Sequence, residues 1–358
     1  MTSTDRAPTA VEDLHPTGIE PPLDRLGAID AHHIGAEVGE QHRRERPRPD
    51  PRDLDDLHAS EWSHAGDPTS ALSRDSSAGS LPRVVETLAS GYGLVEGPTV
   101  DGDGNLYFSD VLGGGVYRRD PDGEITIVVP KRRGVGGIVL HADGGVVVSG
   151  RDIVHVREGA NRRLFAADGV LGWNDICADS AGRLFAGSLR FPVFDPGAEP
   201  VPGELWRIDG TDEAVVLYRG ILHANGVALS PGERTIYNSD TRNNVILVHA
   251  IADDGTAGDR RAFHFPPGAP DGMAFDAQGL LWVASARSGC IARLTPDGEL
   301  DRVVDLPAAT VTSLCFAGDG ESEVYVATAD NTDEPERRGS IFRIDAGVGG
   351  APVPRARV

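Results

Sequence analysis

The strongest constraint on the fold is a pattern of short strands that repeats about every forty residues between residues 81 and 349. Each repeat has a polar or glycine residue before an apolar strand, then an Asp- and Gly-rich turn, and then further strands. Six such segments align without gaps, and they begin at Glu96, Gly136, Asn174, Asn225, Asp271 and Thr312. Strand-only repeats of this length are typical of β-propellers. The sequence therefore predicts an all-β, six-bladed β-propeller of four-stranded antiparallel blades.

The two ends of the repeat region predict how the ring closes. The sixth repeat lacks room for a good fourth strand after Ala346. Residues 83–89, before the first repeat, have the composition of a strand and could complete that blade. Pairing the two ends would leave no exposed sheet edge. Residues 350–358 are predicted as a C-terminal tail beyond the propeller.

Residues 1–80 differ in composition from the repeats. They contain 16 acids, eight arginines and eight prolines but a single aromatic residue, Trp62. A segment so poor in apolar side chains cannot offset the entropy lost on folding. We therefore predict a disordered N-terminal tail that the propeller does not need.

Charge and cysteine content narrow the class of protein. The net charge is −21, from 55 acids and 34 bases, which disfavours binding to nucleic acid or to anionic membrane surfaces. Cys177, Cys290 and Cys315 are isolated, without a disulfide or zinc-ribbon spacing. The chain has no apolar signal core and no apolar run of about 18 residues. These features predict a cytoplasmic protein, and they leave its oligomeric state open.

The residues that begin the six repeats form a column with a polar composition. First strands line a propeller's channel, so these residues meet at one mouth, and four of them carry a carboxyl or amide group: Glu96, Asn174, Asn225 and Asp271. Two converging carboxylates need a cation or a shared proton. Oxygen ligands suit Ca²⁺, Mg²⁺ or Mn²⁺, and Zn²⁺ can accept them. The alternative is that Asn-Gly and Asp-Gly simply form turns, but it accounts neither for Glu96 nor for the shared column. We predict one divalent cation.

Four motifs carry a resemblance to a known family. They are Glu96-Gly-Pro98, Asn174-Asp175 followed by Asp179-x-x-Gly182-Arg183, Asn225-Gly226 followed by Ser230-Pro231, and Pro270-Asp271-Gly272-Met273. In order and spacing they resemble the family of gluconolactonase, regucalcin (senescence marker protein) and luciferin-regenerating enzyme, over about residues 83–345. The resemblance implies a divalent cation held by Glu96, Asn225 and Asp271. It also implies that Asn174 contacts the substrate or a water on the cation, and that the reaction is hydrolysis of lactones, particularly sugar lactones.

One position departs from this family. Its sugar-lactone hydrolases often carry Arg two residues before the Asn-Asp pair, where this chain has Gly172 beside Trp173. The departure argues against gluconolactone itself as the substrate. The second strands end at the same mouth, and the loops that follow them carry Arg190, Arg242 and Arg287. Each arginine either replaces the missing one or is a solvated loop residue. Asn174, Trp173 and Arg190 are the predicted substrate contacts.

Two further features at this mouth have alternative interpretations. The loop over residues 188–203 is longer than its counterparts and contains two Phe residues, which fits a partial lid or an ordered excursion over its own blade. His223 lies two residues before Asn225 and either reaches the pocket or has a structural role.

The leading functional prediction is a metal-dependent lactonase. The cation would polarise the ester carbonyl, and Asp271 or Glu96 would accept a proton from the attacking water. Asp271 is preferred as the base because of the resemblance. Two alternatives stay open at this point: a non-catalytic propeller that binds calcium or a partner protein, and a hydrolase of another ester or a phosphotriester.

Overall fold

The computed structural model describes residues 85–252 and 254–358. The predicted disordered tail, residues 1–80, lies outside them. The described residues form 24 strands in six four-stranded antiparallel sheets, together with one turn of 3-10 helix at Pro335–Arg337. The predicted six-bladed β-propeller is therefore confirmed. No helix in these two ranges has the length and apolar character needed to cross a membrane.

The first three blades each consist of four consecutive strands. Blade 1 is β2 (Val95–Val100), β3 (Leu106–Asp110), β4 (Gly115–Arg119) and β5 (Ile125–Pro130). Blade 2 is β6 (Ile138–Leu140), β7 (Val146–Val148), β8 (Ile153–Arg157) and β9 (Ala160–Phe165). Blade 3 is β10 (Gly172–Ala178), β11 (Leu184–Leu189), β12 (Gly203–Gly210) and β13 (Glu213–Ile221).

The other three blades continue the order until the ring closes. Blade 4 is β14 (Ala224–Leu229), β15 (Thr235–Asp240), β16 (Val245–Ile251) and β17 (Ala257–His264). Blade 5 is β18 (Pro270–Phe275), β19 (Leu281–Ser285), β20 (Cys290–Leu294) and β21 (Leu300–Asp305). Blade 6 is β22 (Val311–Phe316), β23 (Glu323–Thr328), β24 (Gly339–Asp345) and β1 (Glu86–Tyr92).

Ring closure follows the prediction made for the segment before the first repeat. Strand β1 pairs antiparallel with β24, from Glu86 opposite Arg343 to Tyr92 opposite Gly339. The tyrosine ring packs at 5.0 Å on Phe108 of blade 1, so this strand also contacts the neighbouring blade. Hydrogen bonding between the two ends of the chain thus covers the edge of β24 and completes blade 6, with β1 as its outer strand.

The hydrophobic core lies between neighbouring sheets. Adjacent blades pack their buried apolar residues against each other. Between blades 5 and 6, for example, the fully buried Trp282 meets Phe316 edge-on at 6.2 Å. The indole Nε1 of Trp282 donates to Asp276 Oδ2 at 2.9 Å, which satisfies its buried polar group. Packing of this kind fixes the six first strands around the channel.

The predicted C-terminal tail, residues 350–358, packs on the propeller. Ala351 N donates to Phe275 O at the end of blade 5's first strand. Ala356, which is fully buried, donates to Leu140 O at the corresponding end of blade 2. Arg357 N then reaches Gly182 O of blade 3. Blades 2 and 5 face each other across a six-membered ring, so the segment crosses the end of the channel opposite the polar column.

Candidate functional site

The four first strands that carry polar column residues share a backbone irregularity. The pairing between first and second strands shifts register after Glu96, Trp173, Ala224 and Pro270. Such bulges redirect side chains and are common beside active sites. In this propeller they lie where the polar side chains of the column leave the strand.

The glycines of the Asn-Gly and Asp-Gly pairs are explained by close packing inside strands. A Cβ at Gly226 would lie 2.2 Å from Asp271 O of the next blade. A Cβ at Gly272 would lie 2.2 Å from Ser313 Oγ, again one blade further on. Both glycines belong to strands, β14 and β18. The contact between neighbouring first strands, and not a turn, therefore requires them.

Glu96 and Asp271 bring two buried carboxyl groups together. Their exposed fractions are 7% and 5%, and Asp271 Oδ1 accepts no hydrogen bond from the described residues. Burial, followed by the charges of Asp271 and Asp175, raises the pKa of Glu96 well above its usual range. Burial and the charge of Asp175 likewise raise the pKa of Asp271. No arginine or lysine of the described residues pairs with either carboxyl, so the arrangement favours a bound cation.

Asn225 is held by its surroundings in one orientation. Its Nδ2 donates to Thr241 Oγ1 at 3.2 Å, and that hydroxyl donates to Pro270 O at 2.7 Å. Asn238 Nδ2 donates to the carbonyls of Asn225 and Gly226, at 3.2 and 2.9 Å. With its nitrogen engaged, the Asn225 amide has its oxygen left for a ligand.

Asn174 occupies space that Gly136 leaves open. Asn174 is half-buried, and its Nδ2 donates to Ala224 O of the next blade at 3.1 Å. A Cβ at Gly136 would lie 2.0 Å from Asn174 Oδ1. A larger residue at position 136 would therefore clash with the Asn174 amide, so Gly136 is needed for Asn174 to keep its position.

Asp175 is a site residue that the sequence reasoning did not single out. Its carboxylate accepts from Ile176 N at 2.8 Å and from Val227 N of blade 4 at 3.2 Å. Burial raises its pKa to about 7 in spite of these two donors. A signal was present in the sequence, because the position after the column residue is Gly in blades 1, 2, 4 and 5 and Asp only in blade 3.

The other two predicted substrate contacts, Trp173 and Arg190, are both engaged with neighbouring side chains of the protein. Trp173 is 1% exposed and packs on Phe165 and Trp206, with ring centroids 5.5 and 5.9 Å away, so it lies in the core between blades 2 and 3. Arg190 Nε donates to both oxygens of the buried Glu204, at 3.0 and 2.8 Å. Their contact with a substrate stays a prediction.

The remaining mouth residues come from the long loop of blade 3 and from blades 4 and 5. In the loop, Phe191 is 4% exposed and Phe194 is 67% exposed, and the lid interpretation stays a prediction. The Arg242 guanidinium lies 5.9 Å from the centre of the Phe191 ring. Burial lowers the pKa of His223 to about 4, and the charges of Arg242 and Arg287 act in the same direction.

The donor set fits a hard divalent cation. Over residues 85–252 and 254–358, no group of three or more His, Cys, Asp or Glu side chains is arranged to hold a metal ion. The candidate ligands are instead two carboxylates and an amide, from Glu96, Asp271 and Asn225. The unpartnered Asp271 Oδ1 is the observation that favours a cation here, because a buried carboxylate oxygen is otherwise satisfied.

Comparison with known proteins agrees with this propeller and its polar mouth. Residues 94–330 match the SMP-30/Gluconolactonase/LRE-like region. The chain is 31% identical over 275 residues to 6-deoxy-6-sulfogluconolactonase of Pseudomonas putida, covering 70% of this chain and 89% of that protein. It is 29% identical over 298 residues to a pentonolactonase of Haloferax volcanii, covering 78% and 98%. A solved luciferin-regenerating enzyme superposes with a TM-score of 0.69 at 25% identity, covering 77% of this chain and 100% of that one.

These matches define the class first, a six-bladed propeller whose homologues include sugar lactonases. The chain belongs to the SMP-30/gluconolactonase/LRE-like family. The resemblance inferred from the four motifs is confirmed.

Proposed function

We propose that the protein is a divalent-cation-dependent lactonase that opens a sugar-lactone-like cyclic ester. The observation that carries the proposal is the convergence of the buried carboxyls of Glu96 and Asp271, with Asp271 Oδ1 unpartnered among the described residues. Two relatives that are named as lactonases, at 31% and 29% identity, support the reaction class.

Glu96, Asn225 and Asp271 would hold the cation, which we take to be Ca²⁺, Mg²⁺, Mn²⁺ or Zn²⁺. When bound, such a cation polarises an ester carbonyl and stabilises the negative charge that develops on it. The two asparagines are suited to this mouth because an amide places an oxygen without titrating. Thr241 and Asn238 keep the Asn225 amide and backbone fixed.

Asp271 is the proposed general base. Its carboxylate takes a proton from water, the resulting hydroxide oxygen bonds to the ester carbon, and the bond between that carbon and the ring oxygen breaks. The proton then passes from Asp271 to the released alkoxide, so the product is a hydroxy acid. Bound to the cation through one oxygen, the Asp271 carboxylate would use its other oxygen to take the proton from water. Glu96 is the second candidate for this role.

A panel of five- and six-membered sugar lactones tests the proposal. Chelated protein should be inactive, and one of the four cations should restore hydrolysis. Asp271→Asn should lower kcat by about 100-fold or more, as expected when a general base is lost. Asp297→Asn, which changes an exposed carboxylate on blade 5, serves as the matched control and should be normal.

Two outcomes would contradict the proposal in different ways. Cation binding without hydrolysis of any lactone would leave a calcium-binding propeller as the better account. Full hydrolysis by Asp271→Asn, with cation content confirmed, would remove Asp271 as the base and point to Glu96.

A further inference from the structure

One side of the mouth carries two exposed arginines, Arg242 and Arg287, that form no ion pair with another described residue. Arg242 directly follows Thr241, whose hydroxyl contacts both Asn225 Nδ2 and Pro270 O. This places the Arg242 backbone one residue from a group that touches a proposed cation ligand. Its guanidinium lies over the buried Phe191 ring, which defines the position of the charge.

Arg287 approaches the same place from blade 5. Ser285, two residues earlier, pairs with Pro270, the residue before Asp271. Ala286 N donates to Ala269 O, which holds the loop against the start of the same first strand. Thr241 and Ser285 both contact Pro270, so the loops that carry Arg242 and Arg287 meet beside the start of the strand that holds Asp271.

Neither arginine has an ion-pair partner in the part of the chain that the structure describes, and both are exposed. Asp240, two residues before Arg242, makes its hydrogen bonds elsewhere: its oxygens accept from the backbone N–H groups of Leu222 and His223 and from Asn243 Nδ2. Arg242 and Arg287 therefore remain available to a ligand.

Blade 3, in contrast, presents a neutralised arginine and an apolar side chain at the mouth. The charge of Arg190 is balanced by Glu204, which also receives Arg219. At the same mouth, Leu171 is 56% exposed beside Gly172. An anionic group on a ligand would find its partners on blades 4 and 5 and not on blade 3.

The charge of the whole chain makes this local arrangement informative. A net charge of −21 repels anions at a distance, but screening limits that repulsion to about 8 Å at physiological salt. Guanidinium groups bind carboxylate, sulfonate and phosphate through paired hydrogen bonds. We propose that Arg242 and Arg287 form an anion subsite, and that the preferred substrates are lactones bearing an anionic substituent. The inference rests on the proposed lactonase function.

Matched hexonolactones test this subsite. They differ at C6, where one carries a hydroxyl and the others a carboxylate, a sulfonate or a phosphate. The anionic lactones should have a kcat/KM at least about 10-fold above that of the neutral one, and high salt should reduce the ratio. Arg242→Gln and Arg287→Gln should each lower that ratio by about 10-fold, mainly through KM. Arg157→Gln, an exposed arginine at the other end of blade 2, is the matched control and should leave the ratio unchanged.

The outcomes separate the subsite from the activity. Equal efficiency on neutral and anionic lactones, or a ratio that survives the double substitution, overturns the subsite and leaves the lactonase intact. If no lactone is hydrolysed, the proposed function fails, and calorimetry with the C6-sulfonated hydroxy acid decides the subsite. Binding that is lost in the double variant supports it, and absence of binding overturns it. The order among the three anions shows whether charge or geometry sets the preference.

Discussion

At the residue scale, the site depends on contacts between residues of neighbouring blades. Because Gly136 has no side chain, Asn174 can occupy the space beside it. Asn174 Nδ2 then donates to Ala224 O of blade 4. Asp175 uses its carboxylate to join blade 3 to the backbone of Val227. Each first strand is therefore positioned by the next, and a change at one column position should be felt at its neighbour.

Gly136→Ala tests the pairing with Asn174. The new methyl group would lie 2.0 Å from Asn174 Oδ1, so the amide must move. We expect kcat/KM to fall by about 10- to 100-fold, in the range found when a positioning group shifts by about 1 Å. Gly232→Ala, which introduces a methyl into open space, is the matched control. Normal kinetics in Gly136→Ala would show that the position of Asn174 does not matter.

Asp175→Asn tests the electrostatics of the site in cation-free protein. The pKa of Asp175 rises from 3.8 to about 7 on folding, so the folded state holds a proton that the unfolded state releases between these values. This contribution to stability is complete below about pH 4 and is lost as the pH rises to about 7. Relative to Asp175→Asn, the wild type should therefore lose on the order of 3 kcal/mol of unfolding free energy over that range. Denaturant unfolding at pH 4 to 7 measures it, and a constant difference would contradict the assignment.

At the scale of elements, the bulged first strands and the closing strand β1 are the parts that determine the mouth. The bulges redirect Glu96, Asn174, Asn225 and Asp271, and the ring must be closed for all four to converge. Closure depends on a strand that comes from the far end of the sequence, so its removal should affect the entire ring.

Two truncations test that closure. A chain beginning at residue 80 keeps β1 and all proposed ligands, and should have the Tm and activity of the full chain. A chain beginning at residue 90 loses most of the pairing between β1 and β24 and leaves the edge of β24 unpaired. We expect it to melt at a clearly lower temperature or to aggregate. Equal melting of the two truncated chains would contradict the role of β1, and failure of the longer one would show that residues 1–79 contribute to folding.

At the scale of the whole molecule, the features that could be predicted from the sequence are those that follow from the repeat. Six aligned strands predict the blades and bring Glu96, Asn225 and Asp271 to one mouth, because symmetry turns position in the repeat into position in space. Residues outside the repeat have no such relation. The path of residues 350–358 across the channel depends on backbone hydrogen bonds to Phe275, Leu140 and Gly182, which leave no pattern in the sequence. The burial of Trp173 likewise depends on rings from other strands.

Calorimetric titration tests whether Glu96, Asn225 and Asp271 hold a divalent cation. Chelated protein is titrated with Ca²⁺, Mg²⁺, Mn²⁺ and Zn²⁺ at pH 6 in two buffers of different ionisation enthalpy. We expect one cation to bind per chain with release of protons, because the pKa values of Glu96 and Asp271 are raised without a cation. Asp271→Asn should weaken binding and release fewer protons. Absence of binding by all four cations, or binding that the substitution leaves unchanged, would contradict the claim.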